Sequence, residues 1–258
     1  MVEAYLTADG EIWNPDPLTF YEGIFTNRDP RLTQSILSPL QSWSGGKSGD
    51  RYSYDDRLYS YPKFVDDRTG CVTPTGYYIR KYVEPSVAAY AGQDDNDVIF
   101  FRYGEVLLNY AEAKCMQGNL SQEDLDLSIN LLRDRVDMVH LTLEDLPEGS
   151  DLLTEIRRER RVELFAEGHR YLDLLRWHQG EVLGQPLLGV RRDWILPVRV
   201  EDKADPILEN LDWMQVGKHE YLVMDAERHF DPARHYLFPI PAAQEKLNPN
   251  LLPNNPGW

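Results

Sequence analysis

Cysteine and long apolar runs are scarce in this sequence, and each scarcity excludes a class of protein. Its 258 residues include 2 cysteines, Cys71 and Cys115, which are too far apart for a zinc ribbon or a disulfide scaffold. No stretch of about 18 apolar residues exists, so the sequence predicts no membrane-spanning helix. The first residues also lack the basic start and apolar run of a signal peptide.

Positive charge is scarce as well. The chain has 27 Lys and Arg residues against 43 Asp and Glu residues, which gives a net charge of −16. This excess repels phosphate backbones, so nucleic acid is not an expected partner. Hydrophobic residues make up 42% of the chain, which is enough to build a sizeable core and to exclude general disorder.

The first part of the chain, residues 1–98, is rich in aromatic and turn-forming residues but has no helical periodicity. It holds 10 of the 15 tyrosines, Trp13 and Trp43, with glycines and prolines scattered between them. Proline fixes φ and glycine permits positive φ, so both favour turns. We predict a loop-rich layer over residues 1–98 and a helical part over residues 99–258.

Two amphipathic helices are predicted at the start of the helical part, joined by a short turn. The buried face of the first helix is predicted from residues at helical spacing, namely Tyr103, Val106, Leu107, Tyr110 and Ala111. Gly118 is placed to end it. Ser121 can cap the second helix with Asp124. Its predicted buried stripe is Leu125, Ile129, Leu132 and Val136. The pair has the size of a tetratricopeptide-like hairpin.

A third helical stretch is predicted over residues 152–177, with Gly168 kinking or dividing it. The apolar residues near one face are Leu153, Ile156, Leu164, Tyr171, Leu172 and Leu175. Beyond Gly180 the chain is expected to be irregular. Five prolines in the last 22 residues, from Leu237, predict an extended tail without any helix.

Motifs for catalysis or metal binding are incomplete in this sequence. Residues 46–48 read Gly-Lys-Ser, but the first glycine of a P-loop is replaced by Gln41. His219 lacks the second histidine of a zinc-protease helix, because position 223 is valine. The acidic run at 94–97 lacks the spacing of an EF-hand and indicates a solvated turn. We therefore expect no catalytic residue, no metal and no cofactor.

Glu159, Glu163 and Glu167 share one helix face, which in principle could supply the acid and base of a glycoside hydrolase. Several arginines lie at ion-pairing spacings around these acids and around Glu155 and Asp173, namely Arg157, Arg158, Arg160, Arg161, Arg170 and Arg176. Nearby cations favour ionised carboxylates, whereas a general acid needs a raised pKa. The pattern therefore indicates a structural ion-pair network.

Aromatic and charged residues alternate between positions 43 and 61, and this segment supplies our predicted binding site. Flat rings stack on the apolar C–H face of a sugar, while charged side chains hydrogen-bond to its hydroxyls. The same residue types also suit a protein partner, or could simply pack the loops against the helices. The predicted ligand-binding residues are Trp43, Tyr52, Tyr54, Arg57, Tyr59 and Tyr61.

Several strings in the chain are characteristic in combination. Residues 28–32 read RDPRL, residues 102–113 read RYGEVLLNYAEA, and residues 159–177 contain ERRVEL followed by EGHRY. The chain ends in Asn-Pro-Gly-Trp, preceded by Asn254. These strings resemble, in the same order, motifs of the SusD/RagB family of outer-membrane nutrient-binding lipoproteins, which usually has Gln before the final Asn-Pro-Gly.

The resemblance implies a mostly α-helical SusD-like fold with few short strands, in which helix pairs support a loop-rich face. It further implies non-enzymatic capture of oligosaccharides and their delivery to a SusC-like TonB-dependent transporter. Peptide capture within the same family and a protein-binding helical scaffold are the alternatives, and a glycoside hydrolase is the least favoured.

The start of the chain resembles a segment well inside family members. We therefore expect a C-terminal half that lacks the signal and the lipid-anchored cysteine which would hold the complete protein at the outer-membrane surface. Cys71 and Cys115 are internal and cannot replace that anchor.

Overall fold

The structure of the protein, a computed structural model, is mostly helical with one small sheet. It describes residues 1–15, 21–38, 64, 73–83, 96–195 and 210–258. The helices of these ranges are α1 (Arg31–Ser35), α2 (Tyr103–Met116), α3 (Gln122–Asp126), α4 (Ile129–Asp134), α5 (Leu152–Glu163), α6 (His169–Arg176) and α7 (Ala242–Leu247). Short 3-10 helices cover Val2–Ala4, Tyr21–Phe25, Gly180–Gly184 and Pro249–Leu251, and the strands are β1 (Leu187–Arg191), β2 (Trp213–Val216) and β3 (His219–Asp225).

Helix α2 ends where the sequence predicts but buries a partly different face. Gly118 follows its end with a φ of 70°. Leu107 and Ala111 are buried as expected, together with Leu108 and Glu112. The other three predicted positions are wrong, because they are exposed: Tyr103, Val106 and Tyr110. Apolar residues lie on more than one side of α2, so spacing alone could not identify the side that packs against α5.

The predicted second helix is two helices, α3 and α4. The capping box is confirmed, since the Asp124 N–H donates to Ser121 Oγ at 3.2 Å and Asp124 Oδ2 accepts from the Ser121 N–H at 2.9 Å. All four residues of the predicted stripe are buried, namely Leu125, Ile129, Leu132 and Val136. Ser128 interrupts the helix because its backbone leaves the helical region and its hydroxyl donates to the Asp124 carbonyl at 2.5 Å.

Gly168 divides the third helical stretch into α5 and α6, as predicted, and adopts a φ of 83°. Ile156, Leu164 and Leu175 are buried. Tyr171 and Leu172 are exposed, contrary to the prediction, because α6 buries the face that carries Asp173, Leu174 and Leu175. Because the helical stretch is divided at Gly168, the buried face of α6 is not a continuation of the buried face of α5.

Three antiparallel strands occupy part of the region beyond Gly180 that we predicted to be irregular. Their order is β1-β3-β2. Strands β2 and β3 form a hairpin in which Val216 pairs with His219, and Gly217 adopts a φ of 61° in its turn. Most residues of β2 and β3 are only partly buried. Their sequence therefore lacks the clear alternation of apolar and polar residues from which a strand is predicted.

The proline-rich tail contains helix, which corrects the prediction that it is wholly extended. Helix α7 begins directly after Pro241, and Pro249 is the first residue of a 3-10 helix. The first residues of a helix do not need their N–H groups for intrahelical bonds, so proline is tolerated there.

Two hydrophobic cores share helix α5. The first joins Tyr5, Ile24 and Leu32 of the N-terminal part to later residues that include Val162 and Trp194. The second joins apolar residues of α2, α3 and α4 to α5, namely Leu108, Leu125, Ile129 and Ile156. Helix α5 therefore connects the N-terminal part to the helix hairpin.

Candidate functional site

The six predicted ligand-binding residues lie outside the described residues, so their positions stay a prediction. They are Trp43, Tyr52, Tyr54, Arg57, Tyr59 and Tyr61. The Gly-Lys-Ser string at 46–48, Asp94, Asp95 and Cys71 also lie outside the described residues. What the structure does give is the chain on either side of residues 39–72, which we call the aromatic segment.

The chain before the aromatic segment lies directly beside the chain after it. The Leu37 N–H donates to the Tyr78 carbonyl at 2.9 Å. Ile36 and Ile79 form an isolated antiparallel bridge. These contacts place Ile36 and Leu37, before the aromatic segment, beside Tyr78 and Ile79, after it.

A cavity of about 570 Å³ lies against this bridge, and Ile36 and Ile79 both line it. The aromatic side chains in its wall are Tyr77, Phe165, Trp194 and Tyr221, and we call it the aromatic cavity. Tyr77, Phe165 and Tyr221 are half-buried. The volume falls within the range of roughly 300–1,000 Å³ that is usual for small-ligand sites. Described residues on both sides of the aromatic segment, Ile36 before it and Tyr77 and Ile79 after it, therefore line a ligand-sized hollow with aromatic walls.

Close approach of two backbones fixes the wall that carries Tyr77. The Val190 N–H donates to the Thr75 carbonyl at 2.8 Å, so this wall lies against β1. A Cβ on Gly189 would lie 2.6 Å from the Thr75 carbonyl oxygen. Gly76 adopts a φ of 79°, and a Cβ there would lie 2.4 Å from Val190 Cγ1. Both positions therefore require glycine.

Hydrogen-bonding groups accompany the rings of the aromatic cavity. Glu3, Thr75 and Arg161 line it, and the Tyr221 hydroxyl donates to Glu3 Oε1 at 3.2 Å. Burial and the neighbouring Glu3 carboxylate raise the pKa of Tyr221. Burial likewise raises the pKa of Tyr77. Both phenols therefore stay protonated at neutral pH and remain hydrogen-bond donors.

Trp194 is part of the wall of the aromatic cavity. Its ring centroid lies 5.5 Å from that of Trp13, and the Arg191 guanidinium carbon lies 4.4 Å from its ring. The side chain is only 2% exposed. Its indole N–H is buried and has no hydrogen-bond partner in the described part of the chain.

The acids of α5 form the predicted ion-pair network, in which Glu159 is held between two buried arginines. Arg31 Nη1 lies 2.5 Å from Glu159 Oε1, and Arg133 Nη2 lies 3.0 Å from Glu159 Oε2. Arg31 also pairs with Asp29 at 2.7 Å. All four side chains are almost completely buried.

Glu163, the last residue of α5, and Glu167, in the turn between α5 and α6, extend this network, so the prediction that all three acids share one helix face is wrong for Glu167. Arg102 pairs with Glu163 at 2.8 Å and with Glu167 at 2.7 Å. Arg135 pairs with Glu163 at 2.8 Å, and Lys81 pairs with Glu167 at 2.5 Å. The network interpretation is confirmed, but these cations come from other parts of the chain and not from the arginines that neighbour the acids in sequence.

Only half of the arginines predicted to form the network do so. Arg158 pairs with Glu155 at 2.9 Å. Arg160 and Arg176 pair with Asp173 at 2.8 Å and 2.9 Å. The other three have no carboxylate within 4.0 Å among the residues that the structure covers, namely Arg157, Arg161 and Arg170.

The charges around Glu159 and Glu167 do not suit a general acid. Burial opposes ionisation of Glu159, but the charges of Arg31 and Arg133 outweigh burial and lower its pKa to about 2. Burial also opposes ionisation of Glu167, yet its hydrogen-bonded cations lower its pKa. Glu155 is the exception, because burial raises its pKa despite its bonds to Ser150 and Arg158. Glu159 and Glu167 are therefore ionised at neutral pH.

The described ranges contain no evident metal-binding cluster. Nowhere in them do three His, Cys, Asp or Glu side chains group so as to hold a metal ion. His219 lies in strand β3 and not on a helix.

Comparison with known proteins identifies relatives. The sequence matches the SusD family over residues 1–258. It is 32% identical over 126 residues to the SusD-like protein P38 of Formosa agariphila, covering 46% of this chain and 23% of that protein. It is 27% identical over 226 residues to the SusD-like protein P2 of the same organism, covering 85% of this chain and 36% of that protein.

The fold is similar to that of a SusD-like carbohydrate binding protein from Bacteroides fragilis NCTC 9343. The TM-score is 0.69 at 27% sequence identity, over 97% of this chain and 47% of that one. The mostly α, SusD-like fold expected from the sequence is therefore confirmed. The chain spans less than half the length of each of these relatives.

Proposed function

Because this chain belongs to the SusD family, we propose that it binds oligosaccharides at the cell surface and releases them chemically unchanged. The observation that supports this function is the aromatic cavity, against which the chain on both sides of the aromatic segment lies. A similar fold serves a carbohydrate binding protein of Bacteroides fragilis.

The chemistry of the cavity matches that of a sugar. A sugar ring has an apolar C–H face, for which Tyr77, Phe165 and Tyr221 offer aromatic surfaces. Its hydroxyls both donate and accept hydrogen bonds, and the cavity offers the Glu3 carboxylate and the Arg161 guanidinium. In our proposal the rings of Trp43 and Tyr54, on the aromatic segment, cover the opposite side of the ligand.

The complete protein is proposed to deliver its ligand to a SusC-like TonB-dependent transporter. A lipid anchor would hold it on the outer face of the outer membrane, close to that transporter. Both proposals rest on family membership. Among the described helices, none combines the length and the apolar character that crossing a membrane requires.

Binding without cleavage is favoured over hydrolysis by the ion pairs of α5. A glycoside hydrolase needs one carboxyl group that is protonated at neutral pH to act as the general acid. The pKa values of Glu159 and Glu167 are lowered, and the cations around them hold them ionised. These acids are therefore assigned a structural role.

Replacement of two aromatic-segment residues tests the proposal. We expect Trp43→Ala and Tyr54→Ala each to weaken retention on glycan affinity gels by about 10-fold or more, because each removes a stacking surface. Thermal unfolding should change little in either variant, since the change is confined to the binding face. Electrophoresis through gels containing a panel of polysaccharides measures the retention.

Tyr103→Ala is the matched control, because Tyr103 is 69% exposed on α2 and lies far along the chain from the aromatic segment. It should leave retention unchanged. Unchanged retention in Trp43→Ala and Tyr54→Ala, or loss of folding in both, would contradict the proposed role and favour packing of the aromatic segment. Release of shortened glycans during incubation would contradict the non-enzymatic function.

A further inference from the structure

A second cavity, of about 330 Å³, adjoins the aromatic cavity and is unusually rich in positive charge. Four arginines of α5 and α6 line it, namely Arg157, Arg158, Arg161 and Arg170, and we call it the arginine cavity. Glu3 supplies a carboxylate to its wall. Such a concentration of cations stands out in a chain whose net charge is −16.

Three of these arginines are half-buried and have no carboxylate partner among the described residues. Arg158 pairs with Glu155, but Arg157, Arg161 and Arg170 have no carboxylate within 4.0 Å among the described residues. Arg157 Nε is buried and has no hydrogen-bond partner there. Burial lowers the pKa of Arg161, and burial together with the Arg161 charge lowers the pKa of Arg170 to about 10. These guanidinium groups are poorly solvated and repel one another, so an anion between them would relieve both costs.

The guanidinium groups are also held in place. The Arg157 and Arg170 guanidinium carbons lie 4.7 Å and 5.8 Å from the ring centroid of Trp177. The Trp177 indole N–H donates to Glu112 at 2.5 Å, which fixes the ring. Planar guanidinium groups held in this way bind carboxylate and sulfate oxygens through paired hydrogen bonds.

The two cavities share Glu3 and Arg161 in their walls. A ligand in the aromatic cavity therefore lies next to the arginine cavity, within reach of the arginines that line it. Resting on the glycan-binding function proposed above, we infer that the arginine cavity binds the carboxylate or sulfate group of an acidic saccharide whose apolar face lies in the aromatic cavity.

Calorimetric titration tests this assignment with oligosaccharides of one backbone in three forms: neutral, uronate-bearing and sulfated. We expect an acidic form to bind the protein at least about 10-fold more tightly than the neutral form at equal ionic strength. The double variant Arg161→Gln/Arg170→Gln should lose this preference. It should remain folded, because neither residue pairs with a carboxylate within 4.0 Å in the described structure.

Arg228→Gln is the control, because Arg228 is half-buried, lines neither cavity and hydrogen-bonds to the Gln185 carbonyl. It should keep the full preference for the acidic form. Thermal unfolding in sodium sulfate, compared with sodium chloride of the same ionic strength, reports whether the arginine cavity accepts a free anion. Stabilisation by sulfate without binding of any acidic saccharide would overturn the inference.

Two other outcomes separate the inference from the function on which it rests. Equal binding of neutral and acidic forms by the unchanged protein would overturn the inference and leave glycan binding intact. Binding of no oligosaccharide in any form, in the titrations and on the affinity gels alike, would overturn both.

Discussion

Arg31 is the residue that ties the N-terminal part of the chain to helix α5. Its guanidinium group pairs with Asp29, Glu159 and Glu163 at 2.7, 2.5 and 3.1 Å. The Arg31 side chain is only 4% exposed, so these bonds form in a low-dielectric interior. Pairs of this kind contribute little as a whole but become costly when one partner is removed, because a buried charge is then left uncompensated.

Glu159→Gln should lower the free energy of unfolding by about 3–5 kcal/mol, since it leaves Arg31 and Arg133 short of a buried counter-charge while keeping the side-chain shape. Urea denaturation followed by tryptophan fluorescence measures the change. Asp134→Asn is the control, because Asp134 pairs with His140 at the surface, where both side chains are about half exposed. Its effect should stay within about 0.5 kcal/mol, and an equally small effect of Glu159→Gln would contradict the structural role.

At the scale of elements, the join between α5 and α6 depends on two residues with left-handed backbone. Gly168 adopts a φ of 83°, and Ala166, two residues earlier, adopts a φ of 62°. Glycine adopts this conformation at no steric cost, whereas an alanine there strains its Cβ against its own backbone. Of the two left-handed residues between α5 and α6, Gly168 suits its backbone conformation and Ala166 does not.

Opposite substitutions should therefore have opposite effects on stability. Gly168→Ala should lower the free energy of unfolding by about 1 kcal/mol, and Ala166→Gly should raise it by up to about 1 kcal/mol. A Cβ on Gly168 would meet nothing within 4 Å, so backbone conformation alone is changed. Chemical denaturation of the two variants in parallel measures both changes in the free energy of unfolding. Changes of the same sign would contradict the role assigned to the backbone conformation of these residues.

For the whole molecule, the ion pairs of α5 predict how stability depends on pH. The pKa of Glu159 falls from its ordinary 4.5 to about 2 in the folded state, and those of Glu112 and Glu167 are also lowered. The unfolded state therefore binds protons first as the pH falls. The stability that these carboxylates contribute is fully present above about pH 4.5 and is lost as the pH falls towards 2.

Urea midpoints at pH 7, 5, 4 and 3 should accordingly change little down to about pH 5 and then fall steeply. Each fully coupled carboxyl group contributes roughly 1.4 kcal/mol per pH unit to this fall. Glu159→Gln serves as the control, because it removes one titrating group and should make the fall shallower. A midpoint that is constant between pH 5 and pH 3 would show that the α5 carboxylates are not ionised against buried cations.

Features that depend on neighbours in sequence could be predicted from the sequence. The Ser121 capping box, the end of α2 at Gly118 and the division at Gly168 all follow from contacts within about four residues or from the conformational range of one residue. The family motifs likewise lie in continuous strings. These features predicted the helix hairpin, the third helical stretch and the fold class, but not α1 and α7, nor which side of α2 and α6 is buried.

Tertiary structure alone decided the features that join distant residues. Arg31 meets Glu159 across 128 positions. The aromatic cavity combines Tyr77, Phe165 and Tyr221, none of which lies near another in sequence. Such groupings follow from packing of the two cores around α5, and no local spacing encodes packing. For the same reason, the sequence could indicate that arginines and acids near α5 form a network, but only the fold left three of those arginines facing a cavity without a carboxylate partner in the described structure.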